Sequence, residues 1–230
     1  VLKLLKLYGS DSSSFHVVRR VRKEKLSYLD TPALLDLHSR VAQLERDRRP
    51  GIIIEAGCAL GGSAMVITAA KNPSRAFYVY DAFGMIPPPS SRDGRDAHER
   101  YAQIATGTSG GIKGDPYYGY EQDLFERVKK TFDAFDYPLD QNNILLVKGL
   151  FSDTLLVAEP VALAHLDCDW YDSVMTCLQR IVPHLVRGGA LILDDYDDWS
   201  GCRAAIDDFF RGRESEFEFV FHSRLHVIRK

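Results

Sequence analysis

Two short apolar runs, residues 161–166 and 190–193, have the length and bounds of buried strands, and each ends in paired aspartates: Asp167 and Asp169, then Asp194 and Asp195. Between them, residues 170–186 place Val174, Cys177, Leu178, Ile181 and Leu185 at helical spacing, with Gly188 and Gly189 reading as the stop. That is a strand, a crossover helix and a second strand, and a right-handed crossover sets the strands parallel and close together. The same alternation runs upstream. Residues 52–54 read as an apolar strand, 57–62 as a glycine turn, 63–71 as a helix, 76–80 as a strand ending in Asp81, and 143–147 as a third strand followed by a short helix over 152–158. Repetition of this kind predicts an open parallel sheet with helices on both faces. Residues 216–221 and 225–229 read as a closing strand pair, and the alternation of Phe217, Phe219 and Phe221 with Glu216 and Glu218 predicts one buried face.

Two stretches fall outside this rhythm. Residues 1–50 form a helical preface, with Thr31 as cap and Pro32 at the first helical position, and Leu34, Leu35, Leu37, Val41 and Leu44 supplying an apolar face. Such a helix can flank the domain, cover a ligand or make a subunit contact in a homo-oligomer. The insertion over about 83–120 carries Pro87, Pro88, Pro89, Gly107, Gly110, Gly111, Gly114 and Gly119, which oppose regular structure. Its length and its tyrosines 101, 117, 118 and 120 point to a lid over a bulky substrate. His98 within it reads as a solvated residue. The domain proper is expected to be 51–230.

Composition narrows the partners. A formal charge of −3 and a pI near 6.2 give no general attraction to nucleic acid or an anionic membrane. The densest basic run, 19–25, is interrupted by Val21 and Glu24 and reads as the exposed side of a helix. The four cysteines, Cys58, Cys168, Cys177 and Cys202, are far apart without Cys-x-x-Cys spacing, which suits buried thiols in a reducing compartment. No run approaches the roughly 18 apolar residues of a membrane span. The opening VLKLLKLYGS is too short and wrongly ordered for a signal peptide, so a cytoplasmic protein is expected.

The chemistry concentrates at the acid pairs. Residues 167–198 hold seven aspartates against two arginines, and like charges at adjoining strand ends repel unless a cation neutralises them. A hard divalent ion, magnesium above all, favours such oxygen donors. The plainer alternative is that Asp194 and Asp195 cap the next helix while 167–172 forms a solvated turn. A second feature is the turn EAGCALGGSA after the first strand, whose glycines let backbone approach a ligand and whose helix amides would face an anionic group. Asp81 lies 81 − 57 = 24 residues beyond Gly57, which suits a carboxylate accepting from ribose hydroxyls. Ala59 breaks the G-x-G-x-x-G pattern. The turn therefore indicates an adenosine-type ligand and leaves nicotinamide cofactors and S-adenosylmethionine both open.

In order, EAGCALGGSA, YVYDAF, KGLFSDTL, HLDCDWYDS and GGALILDDY resemble the metal-dependent sugar O-methyltransferases of antibiotic biosynthesis, the macrocin, mycinamicin and novobiocin type, over about residues 55–210. The resemblance implies a Rossmann-like class I methyltransferase: α/β, with a seven-stranded, mostly parallel sheet whose last strand is antiparallel. It also implies S-adenosylmethionine as donor, Mg2+, and a small-molecule glycoside as acceptor, with no nucleic-acid or membrane partner. Carried over by position, Asp167, Asp194 and Asp195 hold the metal and Asp169 is the general base. Glu55, Gly57 and Ser63 serve the methionine part, Asp81 the ribose, and Gly149, Phe151 and Ser152 the adenine. Cys168 and Leu60 depart from the pattern, standing where glycine and a polar or basic residue are common. The competing expectations are a metal-dependent nucleotide-sugar glycosyltransferase, a catechol-type methyltransferase, a nicotinamide oxidoreductase and a non-catalytic adenosine-binding module.

Overall fold

A computed structural model of the chain describes residues 12–230; the basic, apolar opening read above lies outside them. Helices α1 (Ser12–Lys23) and α2 (Thr31–Arg46) precede β1 (Ile52–Ala56), α3 (Gly62–Ala70) and β2 (Phe77–Asp81). The insertion and α5 (Leu124–Ala134) lead to β3 (Ile144–Lys148), the single turn α6 (Phe151–Thr154) and β4 (Val161–Leu166). Then come α7 (Tyr171–Ile181), β5 (Leu185–Leu193), α8 (Ser200–Phe210), β6 (Phe217–Phe221) and β7 (Leu225–Arg229). The seven strands lie in the order β3-β2-β1-β4-β5-β7-β6, with β1 to β5 parallel and β7 antiparallel to β5. One core joins α1, α2, α3 and α5 to the sheet, and a second joins α7 and α8 to its other face. This is the Rossmann-like class I architecture expected from the sequence. Among the described residues, no helix is long and apolar enough to cross a membrane.

Several local expectations give way to the structure. The cap of α2 is Asp30, whose carboxylate accepts from Ala33 N at 2.8 Å, and Thr31 and Pro32 lie inside the first turn. Gly188 and Gly189 do not end α7. That helix stops at Ile181, just before Pro183, and both glycines belong to β5, where Gly188 takes φ of 69° beside an irregular register with β4. Phe219 and Phe221 are exposed at 38% and 59%, because β6 is the edge strand and only Phe217 reaches the core. The insertion is not devoid of regular structure: α4 (Arg95–Ala105) forms within it and buries Ala97 and Ile104, seven positions apart on one face. α2 packs on α3 as a flanking helix, and Arg19 and Lys23 stay exposed on α1 as the charge pattern requires. All four cysteines are free and buried.

The order of the strands reverses between β1 and β4, so crossovers depart in opposite directions and leave a crevice at the strands' carboxyl ends. Register makes the neighbouring ends level: Ala56 pairs with Leu166, and Leu166 with Leu193. One residue further, Asp167 N donates to Ala56 O at 2.9 Å and Asp194 N to Leu166 O at 3.0 Å. Gly57 turns away here with φ of 89°, and a Cβ on it would overlap the carbonyl oxygen of Asp167. Glycine is therefore required at 57 by backbone contact between two strand ends, before any ligand is considered. Gly57→Ala is expected to destabilise the fold by at least about 2 kcal/mol, lowering Tm by about 4 °C or more. A thermal melt matching the unsubstituted protein would contradict this account of the turn.

Candidate active site at the sheet switch point

The level strand ends bring the acids together. One carboxylate oxygen each from Asp167, Asp194 and Asp195 lies within 4.8 Å of the others. Asp195 Oδ2 also accepts from Asp169 N at 3.0 Å, which holds Asp169 in the left-handed region at φ of 54°. Neither Asp194 nor Asp195 caps α8 through its side chain, so the plainer reading of that pair fails. Burial, and then the charges of Asp194, Asp195, Asp169 and Glu55, push Asp167 well above the usual carboxylate range. Burial and the charges of Asp169 and Asp194 do the same to Asp195. Asp169 is pushed up to about 7, chiefly by burial, against a hydrogen bond to Trp199 that lowers it. One cation answers these charges directly: Arg224 Nε donates to Asp194 Oδ1 at 2.6 Å.

Two clefts meet at this cluster. The first, of about 210 Å³, is bordered by Gly57, Asp81, Gly149, Phe151, Ser152 and Asp169. The second, of about 450 Å³, runs over Asp167, Asp194 and Asp195 beneath Tyr117, Tyr118 and Trp199, and Tyr28, Arg100 and Arg224 complete its rim. Gly57, Asp81, Asp167 and Asp169 border both. Donor-set chemistry fits a hard divalent ion: three crowded carboxylates, two of them with pKa raised by burial and then by neighbouring carboxylates, with no nitrogen or sulfur ligand among them.

Other sequence-chosen residues behave differently. Asp81 is already engaged: Oδ2 accepts from Cys58 N at 2.8 Å and Ala59 N at 3.0 Å, and Oδ1 from Phe83 N at 2.6 Å. Burial nevertheless keeps its pKa raised, with those amides pulling the other way. The glycine turn is closed on the protein as well. Gly57 N donates to Tyr80 O, Gly61 N to Cys58 O and Gly62 N to Leu26 O, so these amides do not wait for an anion as the turn suggested. Ser63 is buried in the first turn of α3, and neither it nor Glu55 borders either cleft. Glu55 is wholly enclosed and bonded through Oε1 to His165 Nδ1 at 3.0 Å. The two residues are direct neighbours across β1 and β4. His98 stays exposed, its Nε2 3.1 Å from Ser90 O.

Two features escaped the sequence reading. The Glu55–His165 pair had a signal, an acid and a base in two otherwise apolar strands that a parallel pairing sets side by side. Arg224 had none, since it stands in a turn 30 positions beyond Asp194. That turn is held from α2: Asp36 Oδ2 accepts from Ser223 Oγ at 2.8 Å and lies 3.1 Å from His226 Nε2.

Residues 29–218 match the family described as Macrocin-O-methyltransferase (TylF). The chain belongs to this family. It is 31% identical over 173 residues to an 8-demethyl-8-(2,3-dimethoxy-alpha-L-rhamnosyl)-tetracenomycin-C 4'-O-methyltransferase of Streptomyces olivaceus, covering 73% of this chain and 60% of that protein. It is 26% identical over 166 residues to the demethyldecarbamoylnovobiocin O-methyltransferase of Streptomyces niveus, covering 70% and 58%. The chain thus spans about three-fifths of the length of these relatives. The solved O-methyltransferase NovP shares the fold at a TM-score of 0.73 and 21% identity, over 89% of this chain and 82% of that one.

The Glu55–His165 bond has a measurable weight. Glu55→Ala would strand a buried imidazole and is expected to cost about 2–3 kcal/mol, a Tm fall of about 5–10 °C. Glu55→Gln, which keeps an acceptor, should lose markedly less. Equal melts for the two variants would show that the hydrogen bond carries no such weight.

Proposed function

We propose that this member of the TylF family is an S-adenosylmethionine- and Mg2+-dependent O-methyltransferase acting on a sugar hydroxyl of a glycosylated natural product. The observation that carries the reading is the convergence of three carboxylates within 4.8 Å where two clefts meet, with Asp167 and Asp169 bordering both clefts and Asp194 and Asp195 the second. The first cleft suits the donor: Asp81 stands at the end of β2 for the ribose hydroxyls, and Gly149, Phe151 and Ser152 stand where an adenine would lie. Gly57 flanks the methionine part, with Ser63 and Glu55 supporting the turn from behind. The second cleft, with tyrosine and tryptophan faces around an acidic floor, suits a sugar ring.

Asp167, Asp194 and Asp195 would hold magnesium, which when bound polarises the acceptor hydroxyl and eases loss of its proton. Asp169 takes that proton, being two residues beyond Asp167 and tied by its own amide to Asp195. Holding donor and acceptor in adjoining clefts, with the acceptor oxygen against the methyl group, reduces the entropic cost of a bimolecular displacement. The insertion acts as a lid, its Tyr117 and Tyr118 screening the second cleft from water. Asp167, Asp169, Asp194 and Asp195 outnumber Arg100 and Arg224 there, which disfavours the diphosphate of a nucleotide-sugar glycosyltransferase. The free, buried cysteines fit a cytoplasmic setting.

Methyl transfer to a panel of glycosides, followed as S-adenosylhomocysteine formed with and without magnesium, tests the reading. Asp194→Ala and Asp195→Ala are expected to lower the rate at least about a thousandfold while S-adenosylmethionine affinity stays within about threefold. Full turnover in excess chelator would remove the metal from the proposal.

A pH dependence follows from the raised carboxyls. Their folded pKa exceeds the unfolded value, so the ion-free protein binds more protons folded than unfolded, and its stability falls as pH rises through that interval. Magnesium relieves this repulsion and competes with protons below it. The Tm increase on adding magnesium should therefore grow from pH 5 to pH 8. An increase that is flat across that range, or absent, contradicts ion binding by these carboxylates.

A further inference from the structure

Two loops carry the acids, 167–170 leading into α7 and 194–199 into α8. The N-cap position of each helix is held by a tryptophan, Trp170 and Trp199, and neither helix has a side-chain cap of its own. An indole has no acceptor to offer the first-turn amides. Those amides are served from far away in the chain. Asp93 Oδ1 accepts from Tyr171 N at 2.7 Å, across 78 positions. Asp96 Oδ2 accepts from Ser200 N at 2.8 Å and Asp96 Oδ1 from Ser200 Oγ at 2.6 Å, across 104 positions. Both aspartates belong to the insertion. Asp93 is itself fixed by Ser90 N, which donates to Oδ2 at 2.8 Å.

Packing is tight on both sides of this joint. A Cβ at Gly201 in α8 would overlap Asp93 Oδ1, and one at Gly94 would overlap Ser200 Oγ. Trp170 Nε1 donates to Pro87 O at 2.9 Å, and Arg92 pairs with Asp172 on α7. Relieved of capping, the two indoles meet edge to face at 5.3 Å and border the second cleft. Trp199 lines that cleft together with Asp169.

We propose that Asp93 and Asp96 are positioning residues, caps supplied in trans that clasp the insertion to both acid loops and so set the placement of Asp169 and the paired indoles. An ordinary cap stabilises its own helix, whereas these make the docking of the insertion and the first turns of α7 and α8 one equilibrium. A sugar held by the insertion's tyrosines then tightens the acid loops, and formation of the loops favours the docked insertion, because such coupling is reciprocal. What the clasp does for catalysis rests on the proposed methyl transfer; its existence does not.

Trp170 and Trp199 are the chain's two tryptophans, so fluorescence excited selectively from tryptophan reports on this joint alone. The test uses the full chain without substrate, comparing Asp96→Ala, Asp96→Asn and Gly201→Ala by acrylamide quenching and by amide hydrogen exchange over residues 87–105 and 199–203. Alanine at 201 would otherwise favour α8, so harm there comes from crowding at this joint, of the Asp93 carboxylate first and then of Tyr171 N, 3.3 Å from the added Cβ. Asp96→Ala and Gly201→Ala are expected to raise quenching at least about twofold and to speed exchange about fivefold to tenfold in both segments, the factor that loss of one cap predicts. Asp96→Asn keeps an acceptor and should stay near the unsubstituted protein. Unchanged quenching and exchange in Asp96→Ala and Gly201→Ala, or faster exchange confined to 199–203, would overturn the clasp, as would an Asp96→Asn variant as disturbed as Asp96→Ala. On a glycoside that the unsubstituted protein methylates, Asp96→Ala should raise the acceptor KM about fivefold to tenfold with S-adenosylmethionine Kd within twofold; an unmoved KM also counts against it. If no glycoside is methylated while quenching and exchange respond as stated, the methyl-transfer reading fails and the clasp stands.

Discussion

Repulsion among carboxylates governs the active end of this sheet. At the separations found, each pair of ionised groups repels by about 3 kcal/mol at an effective dielectric near 20, and the strand register that creates the crowding is fixed by burial of β1 and β4 along their whole length. The chain therefore cannot relax the cluster by moving it. Among the described residues one guanidinium answers the repulsion, Arg224 on Asp194, while burial and the neighbouring carboxylates raise the pKa of Asp167 and Asp195. Arg224 is itself positioned from a remote element, since its turn is anchored to α2 through Asp36, Ser223 and His226. The N-terminal helices thereby reach the acidic cluster without touching it.

The parts of this arrangement that local pattern controls were legible in the sequence. Short apolar runs marked the first four parallel strands to within a residue or two and the end of the fifth, whose first five residues, from Leu185, read as helix and stop. The crossover between the acid pairs also set the ends of β4 and β5 side by side. Pattern misled where context decides. The alternating phenylalanines of β6 imply a buried face only if another layer covers it, and at the edge of the sheet Phe210 and Tyr196 cover Phe219 and Phe221 only in part. Prolines and glycines around α4 hid a helix whose apolar stripe is two residues wide.

The candidate site was legible in a different measure. Every acid singled out for the ion and for proton transfer reaches the cluster, because each follows a strand end and strand ends are level. The glycine turn was read as open to a ligand, yet close strand packing uses most of its amides, a cost invisible to any motif. Arg224, Asp93 and Asp96 act across 30 to 104 positions and carry no local mark. Tertiary contacts of single charged residues are the class of information that periodicity lacks.

The wall common to both clefts explains why so much of the chain converges on so few residues. In the methyl transfer proposed above, the attacking oxygen and the departing sulfur lie on opposite sides of one carbon, so whatever holds the acceptor must be rigid with respect to whatever holds the donor. Here Gly57, Asp81, Asp167 and Asp169 border both spaces, and their backbones are tied together by the bonds from Asp167 N to Ala56 O and from Cys58 N and Ala59 N to Asp81. The insertion supplies outer walls to the same two spaces through Ile86 and Tyr118. An insertion attached only at its own ends would let those outer walls drift relative to the shared one. Caps on α7 and α8 join it instead to the loops that bear the acids, so the width of each cleft and the direction of Asp169 are settled by the same contacts.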